Sequence, residues 1–147
     1  MMDPHAVFSY VLASVVLFAK FCVAITIQAK ERFRERRFRY AEDATYWRGV
    51  IGEDTELCTR AQGLLRNDCE SQPYFLAFGL AYLMLGARPE AAPLYFGFYT
   101  MARLAHAYYF LRARQPHRNR AFAASVLVLA LLAVHLVYAA ARLPLAR

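Results

Sequence analysis

The residues most able to do chemistry are polar side chains grouped within one short stretch of the chain. Arg66, Asn67 and Glu70 follow one another in the segment RNDCESQPYF. Residues three and four positions apart share one face of an α-helix, so this spacing predicts that the three side chains lie together. A guanidinium, an amide and a carboxylate on one face suit a ligand that carries carboxylate and ammonium groups. A structural ion pair between Arg66 and Glu70 is the simpler interpretation, but it leaves Asn67 unexplained.

Other ionisable residues lie inside apolar stretches, where a charge is costly and is therefore a candidate for function. Arg103, His106 and Phe110 have the i, i+3, i+7 spacing of one helix face. Lys20 lies in the first apolar stretch, where we expect it to extend to the membrane surface or to form an ion pair with another helix. His135 lies in the last apolar stretch and is interpreted as a hydrogen-bonded residue between helices rather than as a ligand.

The composition suits a small membrane protein. The chain has 147 residues, of which 59% are hydrophobic and 15% aromatic, and its formal net charge is +7. This length allows one domain, and the apolar content excludes a disordered chain. The positive charge occurs in blocks between apolar runs, which favours membrane topology over nucleic-acid binding. The three cysteines form no CxxC pair, so neither a disulfide framework nor a metal site is predicted.

Four runs along the chain approach the roughly 20 apolar residues that a membrane-spanning helix needs. We therefore predict an all-α integral membrane protein in which residues 1–147 form one four-span domain. The predicted spans are about 7–27, 62–85, 92–111 and 120–141, with a loop at about 28–60. The second span begins among polar residues, which must face other helices or water because lipid cannot satisfy them.

Two clusters of basic residues set the predicted orientation. One extends from Lys30 to Arg39 after the first span, and the other from Arg112 to Arg120 before the last span. With four spans both clusters lie on the same side of the membrane, and basic loops stay on the cytoplasmic side. Both termini are then expected on the opposite side. Acidic residues within the first loop predict that it forms a folded cytoplasmic cap.

Several motifs occur in a fixed order along nearly the whole chain. They are Lys20 in FAKFCVA, the basic run RFRERRF, the segment RNDCESQPYF, Arg103-x-x-His106 and Pro116-x-Arg118. Their order and the four-span layout resemble those of the membrane-associated proteins in eicosanoid and glutathione metabolism, the MAPEG family. The resemblance implies a homotrimer of four-helix subunits that binds glutathione between neighbouring subunits, near the cytoplasmic face.

The resemblance also implies which residues bind glutathione. Arg66, Asn67 and Glu70 would hold the glutathione backbone, and Arg32 of a neighbouring subunit would meet a carboxylate. The remaining members of the predicted pocket are Arg103, His106 and Arg120. Between Arg60 and Arg66 this chain has three more residues than the family spacing, nearly one helical turn, so Arg60 is not counted among them.

The resemblance further implies a set of catalytic residues around the glutathione thiol. Arg118 would lie beside the sulfur, where a positive charge favours the nucleophilic thiolate; Arg120 is the alternative, but Arg118 has the family spacing from Pro116. Asp43 and Asn119 stand where the family's synthases keep an aspartate and a serine. The tyrosine that the family keeps four residues after His106 is Phe110 here, and Tyr109 could replace it only through a shift of one residue.

Together these features predict a membrane-bound, glutathione-dependent transferase or peroxidase that acts on lipophilic electrophiles. One alternative is the glutathione-dependent isomerisation of a prostaglandin endoperoxide, and another is a non-catalytic scaffold that binds lipid. The expected partners are further copies of the chain, glutathione, a lipophilic small molecule and the bilayer, with no nucleic acid. The expected location is the endoplasmic reticulum in a eukaryote or the inner membrane in a bacterium.

Overall fold

The computed structural model describes residues 2–143 and is built almost entirely from α-helices, which confirms the predicted all-α class. Four of the helices are long, and a short helix and two short strands lie between the first two long ones. The helices are α1 (Pro4–Glu35), α2 (Ala41–Tyr46), α3 (Glu56–Met84), α4 (Ala92–Leu111) and α5 (His117–Ala141), and the strands are β1 (Arg37–Phe38) and β2 (Val50–Ile51). A single 3₁₀ turn, Pro89–Ala91, joins α3 to α4.

Capping residues, rather than the apolar pattern, decide where the long helices begin and end. The Asp3 side chain caps α1 by accepting a hydrogen bond of 2.9 Å from the Ala6 N–H, and the Thr55 side chain caps α3 through the Cys58 N–H at 3.2 Å. α1 ends at Arg36, which adopts a left-handed conformation with φ 52°. Both helices therefore extend into the polar sequence that was predicted as loop, and the loop between them covers only residues 36–55.

That loop is folded, as the sequence predicted, and we call residues 36–55 the cap. β1 and β2 pair in parallel, with Arg37 opposite Val50 and Phe38 opposite Ile51, and α2 lies between them in the chain. The start of β2 passes close to β1: a Cβ added to Gly49 would lie 2.6 Å from the Phe38 ring. The cap thus forms a compact unit at the end of α1.

The four long helices run alongside one another. α1 packs against α3 and α4, α4 packs against α5, and α3 also contacts α4 and α5. The end of α1 meets the start of α3, where the Thr55 hydroxyl donates a hydrogen bond of 3.0 Å to Glu31. The end of α4 meets α3 and α5, since Phe110 packs 3.2 Å from the position of a Cβ on Gly63 and the Arg118 guanidinium lies over the Phe110 ring. This arrangement brings both arginine-rich segments to the same end of the molecule.

The interior divides into two halves of different character. The aromatic half contains Phe75, Tyr82, Phe96 and Tyr99, all buried, and the Phe75 and Tyr99 rings stack with centroids 4.1 Å apart. The charged half lies nearer the cap, and its apolar core is small. The apolar core of the charged half consists of the buried residues Ala24, Leu64 and Ala107, with a few partly buried neighbours.

Two of the helices that the structure describes, α1 and α5, are long and apolar enough to cross a membrane. Large apolar side chains such as Phe8, Phe18 and Val137 are exposed along them, as expected for surfaces that face lipid or another subunit. α3 and α4 do not meet this criterion; α3 carries the buried Asp68 and α4 the buried Arg103. The prediction of four spans stays a prediction for these two helices.

Candidate functional site

A buried cluster of three charged residues joins α1, α3 and α4 in the charged half. The Asp68 carboxylate accepts a hydrogen bond of 2.6 Å from Lys20 Nζ, and the same oxygen, Oδ1, accepts one from Arg103 Nη2. All three residues are at most 7% exposed, and Arg103 is fully buried. The interhelical ion pair predicted for Lys20 is confirmed. Asp68 lies among the ionisable residues at the polar start of the second predicted span, but it was not predicted to be the partner of Lys20.

Arg103 also anchors one of the predicted glutathione-binding residues. Its Nη2 donates a hydrogen bond of 2.8 Å to Asn67 Oδ1. Asn67 is half-buried, whereas Arg103 is fully buried, so Arg103 lies behind Asn67 when the site is viewed from the surface. Arg103 was predicted to bind glutathione directly, but within this subunit its guanidinium contacts Asp68 and Asn67 instead.

Arg66 and Glu70 lie on the outer face of α3, as the helical spacing predicted. Arg66 Nε is 3.5 Å from Glu70 Oε1, and the two side chains are 86% and 63% exposed. The simple ion-pair interpretation therefore also holds. An exposed pair of this kind contributes little stability, so both side chains are free to exchange their mutual contact for a ligand.

A cleft of about 480 Å³ lies next to this face, at the junction of α3, α4 and α5. Its lining residues are Glu56, Thr59, Arg60, Gly63, Phe110 and Arg118. Gly63 precedes Arg66 and Asn67 by three and four residues, so these residues lie along one side of α3, which we call the stripe. The cleft lies along this stripe. Arg60 lines the cleft and is held by Glu56, with Nη2 2.6 Å from Oε1. Arg60 was not expected in the pocket, but α3 begins at Glu56 rather than near residue 62, so Arg60 is helical and lies beside the cleft.

Two contacts hold the Arg118 guanidinium in the cleft. It lies over the Phe110 ring, 5.0 Å from the centroid. A guanidinium only donates hydrogen bonds, so the Gln115 amide must face it with its oxygen; in that orientation Gln115 Oε1 lies 3.0 Å from Nε and 2.6 Å from Nη2. Arg118 is half-buried, and Gln115, its hydrogen-bonding partner, was not predicted.

The aromatic residues near Arg118 differ from the prediction for Tyr109. Tyr109 packs on the His117 ring, with centroids 5.2 Å apart, whereas Phe110 contacts both Arg118 and the His106 ring. α4 is a regular helix over this range, so no shift of one residue brings Tyr109 into the place of Phe110. His106 is only 3% exposed, and its ring packs between Phe110 and Phe122.

Arg32 is paired within the same chain. Its Nε and Nη2 donate hydrogen bonds of 2.9 and 3.1 Å to the two carboxylate oxygens of Asp54. Gln62 Nε2 donates a further bond of 2.7 Å to Asp54. The Arg32 hydrogen bonds, with a smaller contribution from Gln62, lower the pKa of Asp54 to about 2. Arg32 was predicted to reach the glutathione of a neighbouring subunit, but here it fastens the cap to α1.

The remaining predicted residues lie on the surface. Asp43 is exposed on α2 in the cap, and Asn119 and Arg120 are exposed in the first turn of α5. Arg118 is among the residues that line the cleft, whereas Arg120 is not. The geometry of the chain thus favours Arg118 over Arg120, and it brings neither Asp43 nor Asn119 into the cleft.

The fold and the site define a mainly helical protein with apolar outer helices and a cationic cleft at the end of the molecule where the arginine-rich segments lie. Residues 10–138 match the MAPEG family, and the chain belongs to this family of membrane proteins. It is 32% identical to the prostaglandin E synthase of Equus caballus over 147 residues, which covers 97% of this chain and 94% of that protein. It is also 32% identical to the prostaglandin E synthase of Homo sapiens over 146 residues, with 96% and 94% covered.

Proposed function

We propose that this protein is a membrane-embedded, glutathione-dependent enzyme that acts on lipophilic substrates. The observation that carries the proposal is the stripe on α3 where Arg66, Asn67 and Glu70 adjoin the cleft that contains Arg118. Family membership supports it, because the match extends over most of the chain. The function follows from the donor set on this stripe rather than from the fold, since one fold can serve many functions.

The residues on the stripe fit glutathione, which carries two carboxylates, one ammonium and one thiol. Arg66 offers a guanidinium to a carboxylate, and Glu70 offers a carboxylate to the ammonium. Both are exposed, so the only contact that binding disrupts is their weak surface ion pair. When bound, glutathione supplies a sulfur nucleophile for conjugation or reduction.

Arg118 is the residue that we assign to the thiol. Gln115 and Phe110 fix its guanidinium in the cleft, so little further ordering is needed when a ligand arrives. A fixed positive charge beside the sulfur lowers the free energy of the thiolate relative to the thiol. Arg60 adds a second cation to the cleft, although Glu56 balances its charge.

We further propose that the site is completed by a neighbouring copy of the chain in a homotrimer of four-span subunits. Arg66 and Glu70 face outward from their own subunit, and a ligand held only by such exposed side chains would remain largely in water. The arginine-rich segments at the same end favour a cytoplasmic site. The location in the endoplasmic reticulum or a bacterial inner membrane, and a contribution of Arg32 or Arg120 from another subunit, stay predictions.

The second candidate reaction is the isomerisation of a prostaglandin endoperoxide. The observation that favours it is the name shared by the relatives, prostaglandin E synthase, at 31% to 32% identity over nearly the whole chain. Catalytic roles for Asp43, Asn119 and Tyr109 in either reaction stay predictions. Substrate assays with a hydrophobic electrophile, a lipid hydroperoxide and a prostaglandin endoperoxide distinguish the candidates.

Removal of the Arg118 guanidinium tests the proposal directly. The purified protein in detergent should bind glutathione saturably in a calorimeter and show the ultraviolet absorbance of a thiolate at neutral pH. Arg118→Ala should abolish this absorbance and most of the turnover, with a smaller loss of binding. Arg114→Ala is the matched control, because Arg114 is an exposed arginine of the same linker.

Three outcomes would change the assignment. If Arg120→Ala removes the thiolate absorbance and Arg118→Ala does not, Arg120 takes the role given to Arg118. If both variants keep absorbance and turnover, arginine activation at this linker is wrong. Wild-type protein that binds no glutathione would support the alternative of a non-catalytic lipid-binding scaffold.

A further inference from the structure

The buried charge cluster carries more positive than negative charge. Lys20 and Arg103 contribute two cations, and Asp68 contributes the one carboxylate that both of them contact. Arg103 is fully buried, and its Nε and Nη1 have no hydrogen-bond partner among the described residues. A buried cation of this kind attracts any acceptor that comes within reach, and the acceptor next to Asp68 is the side chain of Asn67.

The chemistry of Arg103 determines which end of the Asn67 amide faces it. A guanidinium has hydrogen-bond donors and no acceptor, and it keeps its charge at all accessible pH values. The amide atom that lies 2.8 Å from Arg103 Nη2 must therefore be the oxygen, Oδ1. An isolated asparagine can exchange its oxygen and nitrogen by rotation, but here that rotation would place donor against donor.

The opposite end of the amide then points away from the cluster. Asn67 is half-buried, and its Nδ2 makes no hydrogen bond to another side chain or backbone group within residues 2–143. It lies on the same stripe of α3 as the exposed Arg66 and Glu70. The two N–H groups of Nδ2 are thus the part of Asn67 that a ligand on this stripe can meet.

We propose that Arg103 is a positioning residue that fixes the Asn67 amide so that it presents N–H donors, and not its oxygen, to glutathione. The inference rests on the proposed glutathione site. Asn67 then binds an oxygen of glutathione, either a carboxylate or a peptide carbonyl, while Glu70 takes the ammonium. Lys20 and Asp68 act through Arg103, because Asp68 holds the guanidinium in place from α3 and Lys20 holds Asp68 from α1.

Asn67→Asp separates this role from a merely structural one, because it affects the two ends of the side chain in opposite ways. Toward Arg103 the new side chain still offers a hydrogen-bond acceptor, which is now negatively charged. The cluster then contains two cations and two carboxylates instead of two cations and one carboxylate. Toward the ligand it replaces donors by an acceptor that repels a glutathione oxygen. We expect glutathione affinity to fall about tenfold or more, while the midpoint temperature of unfolding without glutathione stays equal or rises.

Lys20→Met provides the matched background for the stability measurement. It removes the surplus cation, so the change in midpoint temperature caused by Asn67→Asp should be less favourable in the Lys20→Met protein than in the wild type. If Lys20→Met does not fold, the comparison of Asn67→Asp with the wild type in thermal unfolding and calorimetry still decides the question.

The failure of this inference differs from the failure of the proposed function. Wild-type protein that binds no glutathione removes the function, while the stability measurement still tests the orientation of the amide. If the wild type binds glutathione and Asn67→Asp binds it equally well, the donors of Asn67 do not face the ligand. A clear fall in the midpoint temperature of Asn67→Asp without glutathione would show that Arg103 does not face an acceptor, and would overturn the inference.

Discussion

The aromatic half and the charged half of the interior are held together by different forces. In the aromatic half, Phe75, Phe96 and Tyr99 are almost completely buried and pack ring against ring, so stability comes from apolar burial and dispersion. In the charged half, Lys20 and Arg103 converge on one oxygen of Asp68, beside a small apolar core. Apolar burial does not depend on the direction in which a side chain points, whereas hydrogen bonds to a buried charge fix the direction of each side chain.

This difference explains why the candidate site adjoins the charged half. A binding site needs side chains whose orientation is set before the ligand arrives, and buried ion pairs supply such orientation at a cost in desolvation. Asn67 receives its orientation from Arg103. No residue of the aromatic half hydrogen-bonds a site residue within the part of the chain that the structure describes.

The largest expected effect comes from removing the single carboxylate of the cluster. Asp68→Asn leaves two cations buried without a counter-charge, and loss of one partner of a buried pair costs about 3 to 5 kcal/mol. We expect a large fall in the free energy of unfolding, measured by thermal or denaturant unfolding in detergent. Glu70→Gln on the same helix is the control and should change stability by less than about 0.5 kcal/mol, because Glu70 is exposed. Equal stability of the two variants would mean that the buried ion pairs do not stabilise the charged half.

The second prediction concerns glutathione affinity on the exposed face. Glu70→Gln loses the charge-assisted hydrogen bond to the ligand ammonium, a contribution of about 1.5 to 3 kcal/mol, so glutathione should bind about tenfold more weakly or worse. Calorimetric titration of the folded variant measures this loss. Unchanged affinity would mean that Glu70 forms an ion pair with Arg66 and does not bind the ligand.

The third prediction perturbs the aromatic half. A Cβ added at Gly79 would lie 2.6 Å from the Tyr10 ring and 3.3 Å from the Phe96 ring, so Gly79→Ala should destabilise the protein by about 1 to 3 kcal/mol through overpacking. Gly97→Ala is the matched control, since within residues 2–143 no other part of the chain lies within 4 Å of its added Cβ, apart from its sequence neighbours and its own helix backbone, and alanine favours the helix. Glutathione affinity of the folded Gly79→Ala protein should remain that of the wild type. A change in affinity as large as the change in stability would show that the two halves are coupled.

The smallest expected effect concerns the cap and depends on pH. Asp54 has its pKa lowered to about 2 from an ordinary value of 3.8, chiefly by its hydrogen bonds to Arg32. A carboxylate with a lowered pKa stabilises the folded state above its unfolded pKa, and this stabilisation disappears as the pH falls from about 4 to about 2. The difference in midpoint temperature between wild type and Asp54→Asn should therefore be constant near neutral pH and shrink in that acidic range. A difference that persists unchanged to pH 2.5 would mean that Arg32 does not hold the ionised Asp54.

The sequence predicted much of the fold because apolar periodicity extends over whole helices. The range predicted for α4, 92–111, matches the helix, whereas α1 and α3 extend beyond their predicted spans. The reason is that the apolar pattern marks the part of a helix that avoids water, and the caps at Asp3 and Thr55 mark where the helix begins. Polar residues that lie between the cap and the apolar run can be helical even though the apolar pattern does not predict a helix there.

The site was predictable only in part. Spacing along one helix placed Arg66, Asn67 and Glu70 together, because the geometry of a helix is fixed by 3.6 residues per turn. Spacing could not show that Arg103 lies behind Asn67, or that Gln115 and Phe110 hold Arg118. These contacts join residues on different helices or across a turn.

By itself, the sequence determined the helical class, the apolar outer helices and the polar stripe on α3, because each of these depends on the order of residues along one segment. The tertiary structure alone decided that Asp68 accepts from both Lys20 and Arg103, and that Arg32 donates to Asp54 of the same chain. The physical reason is that a buried charge pairs with whichever opposite charge the packing of helices brings within hydrogen-bond distance. That choice is made between segments 35 and 48 residues apart in the chain, and no local pattern records it.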